Sequence, residues 1–178
     1  MIEEIKKYDP HFLESKFKSF IDNVFIQIHL SIMTKDIEKI KHFVTEDIYQ
    51  KLFLKVNSLK ENNYIQMYDE INVKETHLIG VEVIENEIFV SVNLTSRYMD
   101  YMMDENGKFI SGNNQSRIER VNSLIFKKKL GESETNSVKK CPSCSHPMDI
   151  NQNGKCEYCG SIYNLESSGW ILTSMEVL

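Results

Sequence analysis

Residues 87–98 read EIFVSVNLTSRY. Ile88, Val90, Val92 and Leu94 fall on alternate positions, with Phe89, Ser91, Asn93 and Thr95 between them. A period of two marks an extended strand, here with one apolar and one mostly polar face. This stretch decides the fold because the chain on its N-terminal side follows a different period. Just before it, VEVIENEIFV predicts a hairpin turning around Glu85–Glu87. Beyond it, DENGKFISGN supplies a second turn at Asn106–Gly107, VNSLIFKKKL reads as a further strand, and GWILTSMEVL reads as the last.

Upstream the spacing is helical. Phe17, Phe20, Ile21, Val24, Phe25 and Ile28 recur at three- and four-residue steps, which puts them on one helix face. Asp9 and Pro10 suit the N-cap and first turn of this helix. Asp36 is placed to cap a short second helix that turns Ile37, Ile40, Phe43 and Val44 inward. Thr45 is placed to cap a third, carrying Ile48, Tyr49, Leu52, Phe53, Val56 and Leu59 and ending at Glu61–Asn63. Helices first and antiparallel strands later predict an α+β domain with the helices on one sheet face.

The composition is that of a globular chain: 178 residues, 41% hydrophobic and 26% charged. A net charge of −5 opposes binding to a phosphate backbone, so a nucleic-acid partner is not expected. The longest apolar run, VFIQIHLSIM, is broken by Gln27, His29 and Ser31, so no membrane span is expected. The opening MIEEIKKYDP carries acids and lacks the apolar stretch of a secretion signal. The expected location is therefore the cytoplasm, where thiols stay reduced.

All four cysteines lie within twenty residues, in CPSCSHPMDINQNGKCEYCG from Cys141 to Gly160. In a reducing compartment two C-x2-C pairs point to a tetrahedral Zn²⁺ held by Cys141, Cys144, Cys156 and Cys159. Four thiolates close the coordination shell, so the ion is structural, whereas a catalytic zinc keeps one position for water. Two disulfides would need an oxidising compartment, and a dithiol redox site would need a βαβ context that this sequence lacks. His146 is read as a bystander. The cysteine segment falls between the strands at 121–130 and 169–178, flanked by the polar GESETNSVKK and NLESS. The expected organisation is one domain over 1–178 with a zinc-ribbon insertion at 139–164. Lys127–Lys129, Lys139 and Lys140 are read as screening for the thiolates and protection of a strand edge.

The cysteine segment and the following Trp170-Ile171-Leu172 resemble the ribbon of bacterial Tim44-like proteins, relatives of the C-terminal domain of a mitochondrial inner-membrane import subunit. The early DPHF, the stretch KDIEKIKHFVTEDIY and the strand ending at Asp100–Tyr101 are similar to that family too. The resemblance implies a nuclear-transport-factor-two-like cone, with helices packed on a curved antiparallel sheet around a pocket. It also implies a binding or transport-associated role with no known reaction. Ser145 and His146 stand where the family prefers Gly and Ala, and NSLIFKKK replaces a motif resembling W-x-F-x-R.

Candidate acid–base residues are His29, His77, Asp100, Tyr98 and Tyr101, but no spacing among them is diagnostic. His29 is expected to be a satisfied core or boundary histidine. No phosphate loop, nucleophile elbow or H-E-x-x-H motif is present. No catalytic residue is therefore assigned. The expected function is a non-enzymatic cytoplasmic binding or adaptor module that takes a peptide or apolar ligand in a pocket or on a sheet face. Peripheral membrane contact remains compatible with this. Two alternatives stay open: an enzyme of the cone type, with an Asp–His or Asp–Tyr pair in an enclosed pocket, and a zinc-ribbon nucleic-acid binder.

Overall fold

The computed structural model describes residues 1–131, 144–146, 158 and 169–178. Helices come first: α1 (Ile2–Tyr8), α2 (Glu14–Met33), a 3₁₀ helix (Glu38–Phe43) and α3 (Glu46–Glu61). The described strands follow: β1 (Tyr64–Ile84), β2 (Glu87–Asp104), β3 (Phe109–Lys129) and β4 (Ile171–Val177). They form one antiparallel sheet in the order β1-β2-β3-β4. The class is α+β, with the helices packed on the sheet.

The alternation in β2 works as its sequence requires. Ile88, Val90, Val92 and Leu94 are fully buried beneath the helices. Phe17, Phe20, Ile21, Val24, Phe25 and Ile28 of α2 face them, all buried. The Phe17 ring meets Trp170 at 4.6 Å and Phe126 at 5.9 Å, which joins α2 to the far side of the sheet. Side chains of this size each contribute about 1.5–3 kcal/mol when fully buried.

The ends of the helices differ from expectation. α2 begins at Glu14, not at Asp9–Pro10, with Leu13 in the N-cap position. Asp9 instead ends the short helix α1, and its carboxylate pairs with Lys128 on β3 at 2.8 Å. Phe12 is buried against Phe17 and Trp170, so the chain turns before α2 can start. The second helix is a 3₁₀ helix capped by Ile37, and Asp36 pairs with Lys39 at 3.1 Å. Its inward residues Ile37, Ile40, Phe43 and Val44 are all buried, as expected. Thr45 is the N-cap of α3 but makes no side-chain capping bond. Its N–H donates to Leu172 O at 2.9 Å, so the loop before α3 covers the outer edge of β4. On α3, Phe53 is exposed, not inward.

Two strands are longer than their sequences announce. β1 starts at Tyr64 and breaks register after Asp69, Val73 and Leu78. β3 starts at Phe109, and between its pairings with Tyr98 and Asp100 it inserts residues 114–117 opposite Met99 alone. Asn113 Oδ1 accepts the N–H groups of Gln115 and Ser116 there, which stabilises the bulge. Such irregularities bend a strand and sharpen its twist. Gly112, at φ +100°, lets this strand pass close to the backbone of Asp100 and Tyr101.

β3 and β4 are neighbours in the sheet, paired from Asn122↔Val177 to Lys127↔Ile171, so residues 130–170 connect adjacent strands. The expected insertion at 139–164 lies on this connection, and most of it lies outside the described residues.

Candidate functional site

Helical and strand periodicities converge at one end of the covered sheet face. On α2, four-residue spacing stacks Phe25 and His29, with ring centroids 4.3 Å apart. On the sheet, Tyr68 of β1 lies opposite Asp100 of β2, and Arg120 of β3 lies opposite Ser96. Tyr98 sits two residues before Asp100, on the same face. Lys55 reaches down from α3. The side chains grade from open to closed: Arg120 and Asp100 are about a quarter exposed (29% and 25%), whereas Tyr68, Tyr98 and His29 are buried.

The floor is aromatic. His29 contacts Tyr68 edge-on at 4.6 Å and Tyr98 at 5.3 Å, and the two tyrosines meet edge-to-face at 5.6 Å. His29 Nδ1 lies 2.8 Å from Phe25 O. A carbonyl only accepts, so Nδ1 carries the proton and Nε2 of the neutral ring is an acceptor. Burial pushes the His29 pKa down to about 4, helped by the charges of Lys55 and Arg120. The ring is therefore neutral at physiological pH.

The rim is polar. Arg120 Nη2 bonds Asp100 Oδ2 at 2.9 Å, and Gln66 Nε2 donates to Asp100 Oδ1 at 2.8 Å. Arg120 also lies over the Tyr98 ring, 5.4 Å from its centroid. Lys55 is exposed as a residue, and its Nζ donates to Tyr68 Oη in a partly buried contact at 2.9 Å. Burial of that end lowers the Lys55 pKa, an effect partly opposed by Asp100. Burial also raises both phenols, Tyr98 to about 12. Deeper on the same face, Asn122 is fully buried and donates to Leu94 O and Ser96 Oγ, while its Oδ1 has no partner among the described residues.

Of the acid–base candidates, the structure brings together His29, Tyr98 and Asp100. His29 is the satisfied core histidine that its place beside the apolar face implied. Strand alternation sends Tyr101 to the opposite face, where its O–H donates to Asp69 at 2.6 Å. His77 is exposed and pairs with Glu75 at 3.2 Å. Lys55, Tyr68, Gln66 and Arg120 carry no sequence motif. Tyr68 and Gln66 lie in the part of β1 that shows no alternation, and Arg120 lies where the exposed first half of β3 ends.

Of the four cysteines, Cys144 is described; Cys141, Cys156 and Cys159 lie outside the described residues. Ser145 follows Cys144 with φ +59°, in the left-handed region that favours glycine. The ring of His146, two residues after Cys144, stacks on Tyr158, the residue before Cys159, with centroids 3.3 Å apart. That contact sets the residue two positions after Cys144 beside the residue that precedes Cys159.

A small cavity of about 20 Å³ lies between Asp9, Phe12, Lys16, Phe17 and Trp170, room for about one water. Among the described residues no helix is long and apolar enough to cross a membrane.

The large ribosomal subunit protein mL45 of Drosophila melanogaster is 24% identical over 134 residues, covering 72% of this chain and 36% of that protein. The chain thus spans about a third of the relative's length. The Tim44-like domain model matches residues 1–137, the helices and the first three strands. The chain described here belongs to the Tim44-like domain family.

Proposed function

We propose that this chain is a non-enzymatic cytoplasmic binding module, transport- or assembly-associated, whose partner or ligand enters the mouth beside α3. The observation that carries this is the character of that mouth: an aromatic floor beneath polar groups, with His29 held neutral and, among the described residues, no carboxylate bonded to it. An acid–base enzyme would need such a carboxylate to orient the ring, and an imidazole with a pKa near its working pH. The Asp–Tyr pair that does form, Asp69 with Tyr101, lies on the other sheet face. The relative's name makes it a component of a large ribosomal subunit, which favours a partner-holding role over catalysis.

The finer architecture belongs to the same proposal: a nuclear-transport-factor-two-like cone over 1–178, with a zinc ribbon at 139–164. Cys141, Cys144, Cys156 and Cys159 would hold one Zn²⁺ as thiolates. The His146–Tyr158 stack and the left-handed turn at Ser145 support two knuckles facing one another. The ion would supply folding energy to a segment with little apolar material of its own.

The test is affinity capture from the native host with the intact chain and the Cys156→Ser variant, alongside elemental analysis. One zinc per intact chain, loss of that zinc in the variant, and a specific partner on the intact chain are expected. A metal-free reduced protein would refute the ribbon. A chain that holds no partner or ligand would refute the module.

A further inference from the structure

We infer that the mouth beside α3 is a carboxylate site, with Lys55 as its cationic anchor, for an acid carried on an apolar or aromatic body. This rests on the binding reading of the same mouth and names the chemistry it would recognise.

The charges around the mouth do not balance. Asp100 spends one carboxylate oxygen on Arg120 and the other on Gln66. The Arg120 charge is thereby matched. The Lys55 ammonium has no carboxylate within ion-pair distance among the described residues, and its direct contact is the neutral Tyr68 hydroxyl. An ammonium carries three donors, and this contact uses one. With Nζ 2.9 Å from Tyr68 Oη and 5.7 Å from the ring centroid, the ammonium lies beyond the hydroxyl edge of the ring and not over its face, so cation–π attraction does not compensate it. A partly desolvated cation without an anion is costly, and an incoming carboxylate removes that cost.

The neighbouring groups suit the same ligand. Tyr68 Oη accepts from Lys55, which leaves its own proton for a second bond to a carboxylate. The Tyr98 hydroxyl, on a residue only 3% exposed, is a further donor on the same face. His29 Nε2 presents an acceptor to any N–H or O–H on the ligand body. Tyr64 and Met102, partly buried at the border, add apolar surface. A dianion such as a phosphate monoester fits less well, because among the described residues of the mouth Lys55 is the one cation without a carboxylate partner, and the Asp100 carboxylate belongs to the same cluster.

Such an acid can be a small arene carboxylate or the C-terminus of a peptide. The probes are phenylacetate, the peptide N-acetyl-Ala-Leu-Phe with a free carboxylate, and the same peptide as its amide. They are titrated into the full chain by calorimetry and by NMR of the methionine methyl groups. The free acids bind saturably, with shifts at Met102, and the amide binds about tenfold or more weaker. Lys55→Met weakens the free acids by about tenfold to a hundredfold, Lys55→Arg retains most of the affinity, and Tyr98→Phe costs about two- to tenfold. Equal affinities for phenylacetate and the peptide identify a small acid; a tenfold preference for the peptide identifies a chain terminus. Lys55→Met is an exposed-helix change to a good helix former, and circular dichroism verifies that it folds. No saturable binding of either free acid below about 10 mM, or unchanged affinity in Lys55→Met, overturns the site. If a captured partner stays on Lys55→Met while the acids fail to bind, this inference falls and the binding module stands.

Discussion

The imidazole Nδ1–H of His29 donates to the Phe25 carbonyl one helical turn earlier, at 2.8 Å, inside a cage of aromatic rings. The bond satisfies Nδ1 and selects the tautomer, with Nε2 left as the acceptor. It does not hold the charged form, because burial dominates and lowers the pKa to about 4.

Stability should therefore depend on pH through this residue. An unfolded histidine titrates near 6.5, so between pH 6.5 and about 4 the unfolded chain binds the extra proton. The contribution is complete above pH 6.5 and is lost as pH falls towards 4. The loss is about 2 kcal/mol by pH 5 and about 3 kcal/mol below pH 4. Urea unfolding at pH 7.5 and pH 5 measures it. In His29→Phe the difference between the two pH values should shrink by about 2 kcal/mol. An unchanged difference would show that the ring is not buried in neutral form.

The Asp9–Lys128 pair should anchor α1 to the sheet. At 2.8 Å, with the side chains only 17% and 21% exposed, it is shielded well enough to exceed an ordinary surface pair. Asp9→Ala leaves the Lys128 ammonium partly buried and unmatched, and should cost about 1–3 kcal/mol. A double-mutant cycle with Lys128→Met measures the coupling, expected above about 1 kcal/mol. Coupling near zero would reduce the pair to a surface contact.

Gly112 should not tolerate a side chain. Its φ of +100° is strained for any L-residue, and an added Cβ would collide with the backbone of Asp100 and Tyr101. Gly112→Ala should cost about 2 kcal/mol or more, and should shift the NMR signals of Asp100 and Gln66 at the mouth. Gly107→Ala is the comparison: its φ is also positive, at +80°, but the added Cβ would meet nothing within 4 Å. It should cost less, by about the clash contribution. Equal losses would mean that strand spacing at Gly112 does not matter.

Ser145 is expected to be a suboptimal choice in its turn. A left-handed φ of +59° costs a non-glycine residue about 1–2 kcal/mol. Ser145→Gly relieves that strain but frees the unfolded chain, so the net gain should be about 0.5–1 kcal/mol. If the proposed ribbon holds zinc, competition with a chelator should show the ion held several-fold more tightly than in the parent. Weaker retention would indicate that the serine side chain supports the site.

Much of the scaffold was legible because it obeys simple periods. The two-residue alternation of Ile88 to Leu94 and the three-to-four-residue steps from Phe17 to Ile28 each describe one buried face, and they face each other. The turns at Glu85–Asn86 and Asn106–Gly107 were legible from local chemistry. The start of α2 was not, because Asp9 and Pro10 make a plausible cap in isolation. The ion pair to Lys128, 119 residues away, gives Asp9 a different use. The first halves of β1 and β3 escaped for a related reason: exposed and bulged strands carry little alternation to read.

Sequence alone determined the class of the molecule, because burial periodicity is a local property that one stretch of chain expresses unaided. It also carries the four-thiol pattern on which the proposed zinc site rests, because cysteine spacing is local too. Only the tertiary structure decided the site. Lys55, Tyr68, Tyr98, Asp100, Arg120 and His29 come from α3, β1, β2, β3 and α2, and strand register and helix docking alone bring them together. A cation left without an anion is a relationship among distant residues, and it exists only once the chain has folded.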